Sequence, residues 1–139
     1  MGDRSNIVVQ ESNGNRIFLY GHWMGEDAIK VAHDVLARQL RWSDSAYLTR
    51  MLFEEMIDGA YDKETGFGIS TTMQDNEYPI LVLEPSTQTA WLEAYIWGEG
   101  GRFESLTKPI TFADFVNASS VSPDFNNLLV NMGANLTPA

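Results

Sequence analysis

The spacing of hydrophobic and polar positions changes along the chain. Ile7, Val8 and Val9 form a short apolar run, and Ile17 to Tyr20 form another beyond Asn13-Gly14-Asn15. Asn-Gly supplies the positive φ angles of a tight turn, so the two runs are predicted to be the arms of a β-hairpin. Ile17 and Leu19 share one face of the second arm, Phe18 and Tyr20 the other. After Gly25 the period lengthens. Ala28, Ala32, Leu36 and Leu40 step by four with Val31 and Val35 beside them, which predicts an amphipathic helix of about four turns. Glu26 and Asp27 suit the positive end of its dipole, and Arg38 and Arg41 the negative end. Ser43 or Asp44 can cap a second helix from about Ser45 to Ile57. Its stripe is Leu48, Met51, Leu52 and Ile57, and Gly59 can end it.

The second half alternates with the period of strands. Phe67 to Thr71 is one, and Ile80 to Glu84 is a second, opened by Pro79 because proline lacks the donor an interior position needs. Thr89 to Trp97 is the longest, with Ala90, Leu92, Ala94 and Ile96 on one face and Trp91, Glu93, Tyr95 and Trp97 on the other. Phe103 to Leu106 suits a short edge piece, and Thr111 with Asp114 a helix cap. Beyond Asn117 the chain is rich in Ser and Asn, with Phe125, Leu128, Leu129 and Met132 at helical spacing.

These elements predict an α+β domain over residues 1–117: an antiparallel sheet of about five strands with two helices on one face. A C-terminal helical tail, 118–139, is expected either to dock on the domain or to reach a neighbour. The expected core is Ile17, Leu19, Ala32, Val35, Leu36, Leu48, Leu52, Ile69, Leu81, Leu83, Leu92 and Ile96.

Composition narrows the setting. Among 139 residues, 9 are basic and 19 acidic, a net charge of −10, and cysteine is absent. Such a field repels bulk nucleic acid and anionic membrane and attracts basic partners, although acidity that serves only solubility is the plainer reading. No apolar run suits a membrane span, and the N-terminus lacks a signal layout. A cytoplasmic protein is expected, of the host cytoplasm if phage-encoded.

Chemistry-bearing residues are few. His22-Trp23 stands where a strand runs into a helix, a place where backbone N–H groups are left to receive an anion. His33 lies on the helix at a position that reads as exposed. Two histidines eleven apart make no metal pair. Asp75-Asn76-Glu77 offers oxygens for calcium without a calcium loop's spacing and reads better as a polar turn. Glu54-Glu55 are helix neighbours that face different ways, and there is no nucleophile elbow or P-loop. Arg41 sits between the helices and Arg50 within the second. Arg50 pairs most simply with Glu54 at i,i+4, but facing a cavity with His22 it would suit a phosphate or carboxylate.

Tyr20-Gly21-His22-Trp23, Arg41-Trp42-Ser43-Asp44 with Tyr47-Leu48, and Gly66-Phe67-Gly68-Ile69-Ser70-Thr71 with Asp75-Asn76-Glu77-Tyr78-Pro79-Ile80 resemble a family of small uncharacterised proteins of bacteria and bacteriophages. Its members read roughly Thr-His-Trp-Gly, Arg-Trp-Asp-Asp and Gly-x-Gly-Ile-Ser. The likeness spans about residues 16 to 97. Gly21 stands here for the usual Thr, and Met24 precedes Gly25. The resemblance implies a phage or bacterial accessory setting and no activity.

The leading expectation is therefore a non-enzymatic accessory protein that sequesters a small anionic ligand, such as a nucleotide signal of host defence, at His22, Trp23, Arg41 and Arg50. The alternative is an acidic protein-interaction module, an inhibitor of a host protein or a virion or assembly component. It would use Trp91, Tyr95 and Trp97 as an interface, with a host protein or a second copy as partner. Neither implies a cofactor or metal.

Overall fold

A computed structural model describes residues 2–117 other than Glu26, Tyr61 and Glu99, together with Asn127. The elements run β1 (Ser5–Gln10), β2 (Arg16–Gly21), α1 (Asp27–Leu36), α2 (Ser45–Ile57), β3 (Phe67–Ser70), β4 (Ile80–Glu84), β5 (Thr89–Ile96), β6 (Arg102–Ser105), β7 (Ile110–Thr111) and α3 (Phe112–Val116). Apart from Asn127, the predicted C-terminal tail, 118–139, lies outside the described residues.

The fold is α+β, but the sheet is mixed and wider than predicted. Its order is β3-β2-β1-β4-β5-β6, with β7 also on β5. β1 and β4 run parallel, Val8 beside Val82, and the other pairs are antiparallel. β2, two helices and β3 separate β1 from β4, a connection long enough to bring the chain back in the same direction. Strand alternation shows which face a residue takes and not which strand lies beside it.

One sheet face, with Ile7, Val9, Leu19, Leu81, Leu83, Ala90 and Leu92, packs on Ala28, Ala32, Val35 and Leu36 of α1 and Leu48 and Leu52 of α2. The other carries Val8, Phe18, Ile80 and Val82 with Met73, Trp91 and Tyr95. Phe18 and Phe103 lie on strands four places apart, about 19 Å in a flat sheet at the usual spacing. Their rings are 5.8 Å apart, so the sheet curls over this second face. Across it Arg16 reaches Glu93 with two 2.8 Å hydrogen bonds.

Several details depart from the sequence reading. α1 stops at Leu36, whose carbonyl accepts from the Trp42 indole N–H at 2.9 Å. Gln39 and Arg41 take positive φ there, and Leu40 stays exposed instead of extending the stripe. His33 is buried, 7% exposed, with Nε2 2.7 Å from the Val116 carbonyl on α3. Ile69, expected in the core, is 57% exposed. It pairs with Leu19, but β3 is an edge strand of the sheet, with no partner strand beyond it among the described residues.

Candidate functional site

The turn from β2 to α1 is built by close backbone packing. Gly21 ends the strand, and a Cβ there would stand 2.6 Å from the Met24 Cβ. The His22 N–H donates to the Gly66 carbonyl at 2.8 Å and the Gly25 N–H to the Asp3 carbonyl at 2.8 Å. Two of the amides expected to receive an anion at the start of α1 are instead taken within the chain: Asp27 N–H donates to the Met24 carbonyl at 2.9 Å and Ala28 N–H to the Gly25 carbonyl at 3.4 Å. Gly25 at φ +52° allows that closure.

His22 is half-buried and occupied on both sides. Its Nδ1 lies 2.8 Å from the Tyr20 hydroxyl. Burial, then the charge of Asp75, raise the Tyr20 pKa, so the phenol stays neutral. On the other side, a Cβ on Gly2 would fall 2.5 Å from His22 Nε2. The Asp75-Asn76-Glu77 turn lies close by. Arg4 binds Asp75 and Glu77, each at 3.0 Å, and Asn6 donates to the Asp75 carbonyl and the Asn76 amide oxygen. Its carboxylates thus hold an arginine, and His22 helps to fasten the N-terminal segment.

Trp23 turns the other way. It is 62% exposed, its ring edge-on to His22 at 4.6 Å, and it borders a cavity of about 480 Å³. The cavity lies between α1 and the C-terminal end of α2. Its walls are Met24, Val31, Met56 and Phe67, and its charged groups are Asp27, Lys30, Asp34, Glu55 and Asp58. Lys30 is paired with Asp34 at 3.1 Å, and Arg38 with Glu55. Asp27 and Asp58 form no ion pair among the described residues. The carbonyl end of α2 also points here, and its partial negative charge adds to theirs. Among the described residues no group of three His, Cys, Asp or Glu side chains converges as metal ligands do. The negative charge is spread around the walls of this cleft.

The predicted residues therefore divide. His22 and Trp23 touch each other. Arg41 and Arg50 meet on a different ring, with guanidinium carbons 4.6 and 5.9 Å from the Tyr47 ring centre. Each has its own carboxylate, Asp44 for Arg41 at 3.8 Å and Glu54 for Arg50. Neither arginine lines the Trp23 cavity. Trp91 is half-buried and donates to Glu93 at 2.7 Å. Tyr95 stands edge-on to Trp97 and Phe103, and Trp97 is 55% exposed.

Sequence reasoning missed the acidic wall of the cavity. Asp27, Lys30, Val31 and Asp34 do follow helical spacing, so half of it was open to inspection. Glu55 and Asp58 join it only through the packing of α2 on α1. Comparison with protein-family models, curated proteins and solved structures finds no match for this chain.

Proposed function

We propose that the protein is a non-enzymatic binding module whose Trp23 cavity takes a cationic group, an arginine or lysine side chain of a basic partner protein. One observation carries this reading: an exposed indole borders a cavity in which carboxylates outnumber cations and two of them have no counter-charge among the described residues. A cation over an indole face gains about 0.5–1 kcal/mol at an exposed site, and more when desolvated. Asp27, Asp58 and the carbonyl end of α2 would supply charge, while Met24, Val31, Met56 and Phe67 would cover the aliphatic stem. The chain's overall charge would speed encounter with such a partner. An accessory role in a phage or bacterium is the setting the sequence resemblance suggests.

Sequestration of a small anion at His22, Trp23, Arg41 and Arg50 is the less supported proposal. It needs free positive groups around one space, and both arginines are matched by carboxylates elsewhere.

Calorimetric titration of the full chain with an arginine-rich peptide, and separately with mono-, di- and cyclic nucleotides, distinguishes the two. The peptide is expected to bind, with affinity falling roughly three- to tenfold in Trp23→Ala and in Asp58→Asn. Asparagine suits the left-handed backbone at position 58. Asp114→Asn, outside the cavity, should leave affinity nearly unchanged. Equal losses in all three variants would mean diffuse charge attraction and no site. Nucleotide binding that vanishes in Arg50→Ala would restore the anion reading.

A further inference from the structure

The sheet ends at β6, and no strand pairs its outer edge among the described residues. All four residues of β6 are exposed, and Trp97, Phe103 and Leu106 place large apolar groups around it. Unpaired edges invite pairing, and proteins often blunt them with charged side chains. The charges here have both signs, Arg102 and Glu104, on one face with Phe103 between them on the other.

The backbone phase of β6 follows from its neighbour. Leu106 N–H donates to the Leu92 carbonyl at 2.8 Å. In the same register Ala94 faces Glu104 and Ile96 faces Arg102. Hydrogen-bonded pairs alternate along an antiparallel ladder. Arg102 and Glu104 therefore spend their backbone groups on β5, while Phe103 and Ser105 direct theirs outward.

We propose that this edge pairs antiparallel with the same edge of a second copy of the chain, the two-fold axis passing beside Phe103. Phe103 and the partner's Phe103 then exchange two backbone hydrogen bonds. Arg102 stands opposite the partner's Glu104, and Glu104 opposite the partner's Arg102. Both are non-hydrogen-bonded pairs, in which side chains approach most closely. Within one chain Arg102 and Glu104 already touch at 3.3 Å, so the cross-strand pairs need only small side-chain rotations. The arrangement is self-complementary, as a two-fold interface must be. It also explains why an edge with three exposed apolar side chains carries charges that attract their own copies.

Sedimentation velocity on the full chain over a concentration series tests this. A reversible monomer–dimer equilibrium is expected. Arg102→Glu and Glu104→Arg should each weaken it roughly tenfold or more, since the two-fold presents every altered pair twice. The double variant Arg102→Glu/Glu104→Arg should restore the wild-type constant. Glu104→Arg makes the chain less acidic, so general charge repulsion alone would strengthen association where the specific pairing weakens it. Circular dichroism of each variant checks that the fold is retained. A monomer at every concentration, a dimer indifferent to the single changes, or a double variant that does not recover would each overturn the proposal.

Discussion

At the scale of single residues, the most consequential contact is Arg16 with Glu93. Glu93 is 5% exposed. Burial alone would raise its pKa, but the Arg16 hydrogen bonds, the Trp91 N–H and the Arg16 charge outweigh burial and hold it below the ordinary carboxylate value. Arg16 is in turn gripped by Gln10 at 2.8 Å and lies over the Phe103 ring at 5.0 Å. Replacing Glu93 by Gln keeps the volume and leaves the guanidinium with a neutral partner. It should cost about 2 kcal/mol by urea unfolding near neutral pH, below the range for a wholly buried pair because Arg16 keeps some exposure. The gap between variant and wild type should close in acid, where Glu93 of the wild type takes up a proton. This pair was hidden in the sequence: Glu93 stood out as the one acid on an aromatic face, but nothing linked it to an arginine 77 residues away.

At the scale of elements, the short-range signals were readable and the long-range ones were not. The Asn-Gly hairpin, the Asp44 cap, which accepts from Tyr47 N–H, and the Thr111 cap, which accepts from Asp114 N–H, all have local causes. The end of α1, the parallel neighbour of β1 and the exposure of Ile69 depend on what packs alongside. So does His33, whose helical position gave no hint that α3 would cover it. The site divides in the same way. The His22-Trp23 turn was visible from the change of period after Gly25, whereas the opposite directions of its two rings come from Gly2 on one side and α2 on the other. α3 has five residues, too few to be stable alone, and is held by buried Phe112 and Phe115, the Thr111 cap and the His33 bond. His33→Phe keeps an aromatic ring but leaves the Val116 carbonyl without its partner, a loss of about 1–2 kcal/mol. Hydrogen exchange should quicken at the amides of residues 114–117 more than in α2. Equal acceleration in both helices would mean that His33 supports the whole core rather than this junction.

For the whole molecule, two electrostatic effects oppose each other as pH falls. The chain carries −10 at pH 7 and nears neutrality at its isoelectric point of about 4.4, so self-repulsion in the compact state relaxes on acidification. Glu93 and Glu77 act in the other sense. Glu77 is lowered by the Arg4 backbone N–H first and by the Arg4 charge after a smaller opposing effect of desolvation. Both carboxylates hold protons less tightly in the folded chain than at their ordinary value of 4.5. Their stabilisation is complete above that value and is lost as pH falls through the lower folded values. At low salt the melting temperature should therefore rise by a few degrees from about pH 8 to about pH 5.5, then fall steeply below about 4.5. Adding about 0.5 M NaCl should flatten the rise, because it shortens the screening length between surface charges. The acid fall should persist, since the Arg16–Glu93 pair is shielded from salt, and should be shallower in Glu93→Gln. Thermal unfolding across this range at the two salt concentrations measures both arms. A melting temperature that already declines between about pH 8 and 5.5 at low salt would mean that local ion pairs outweigh the global charge.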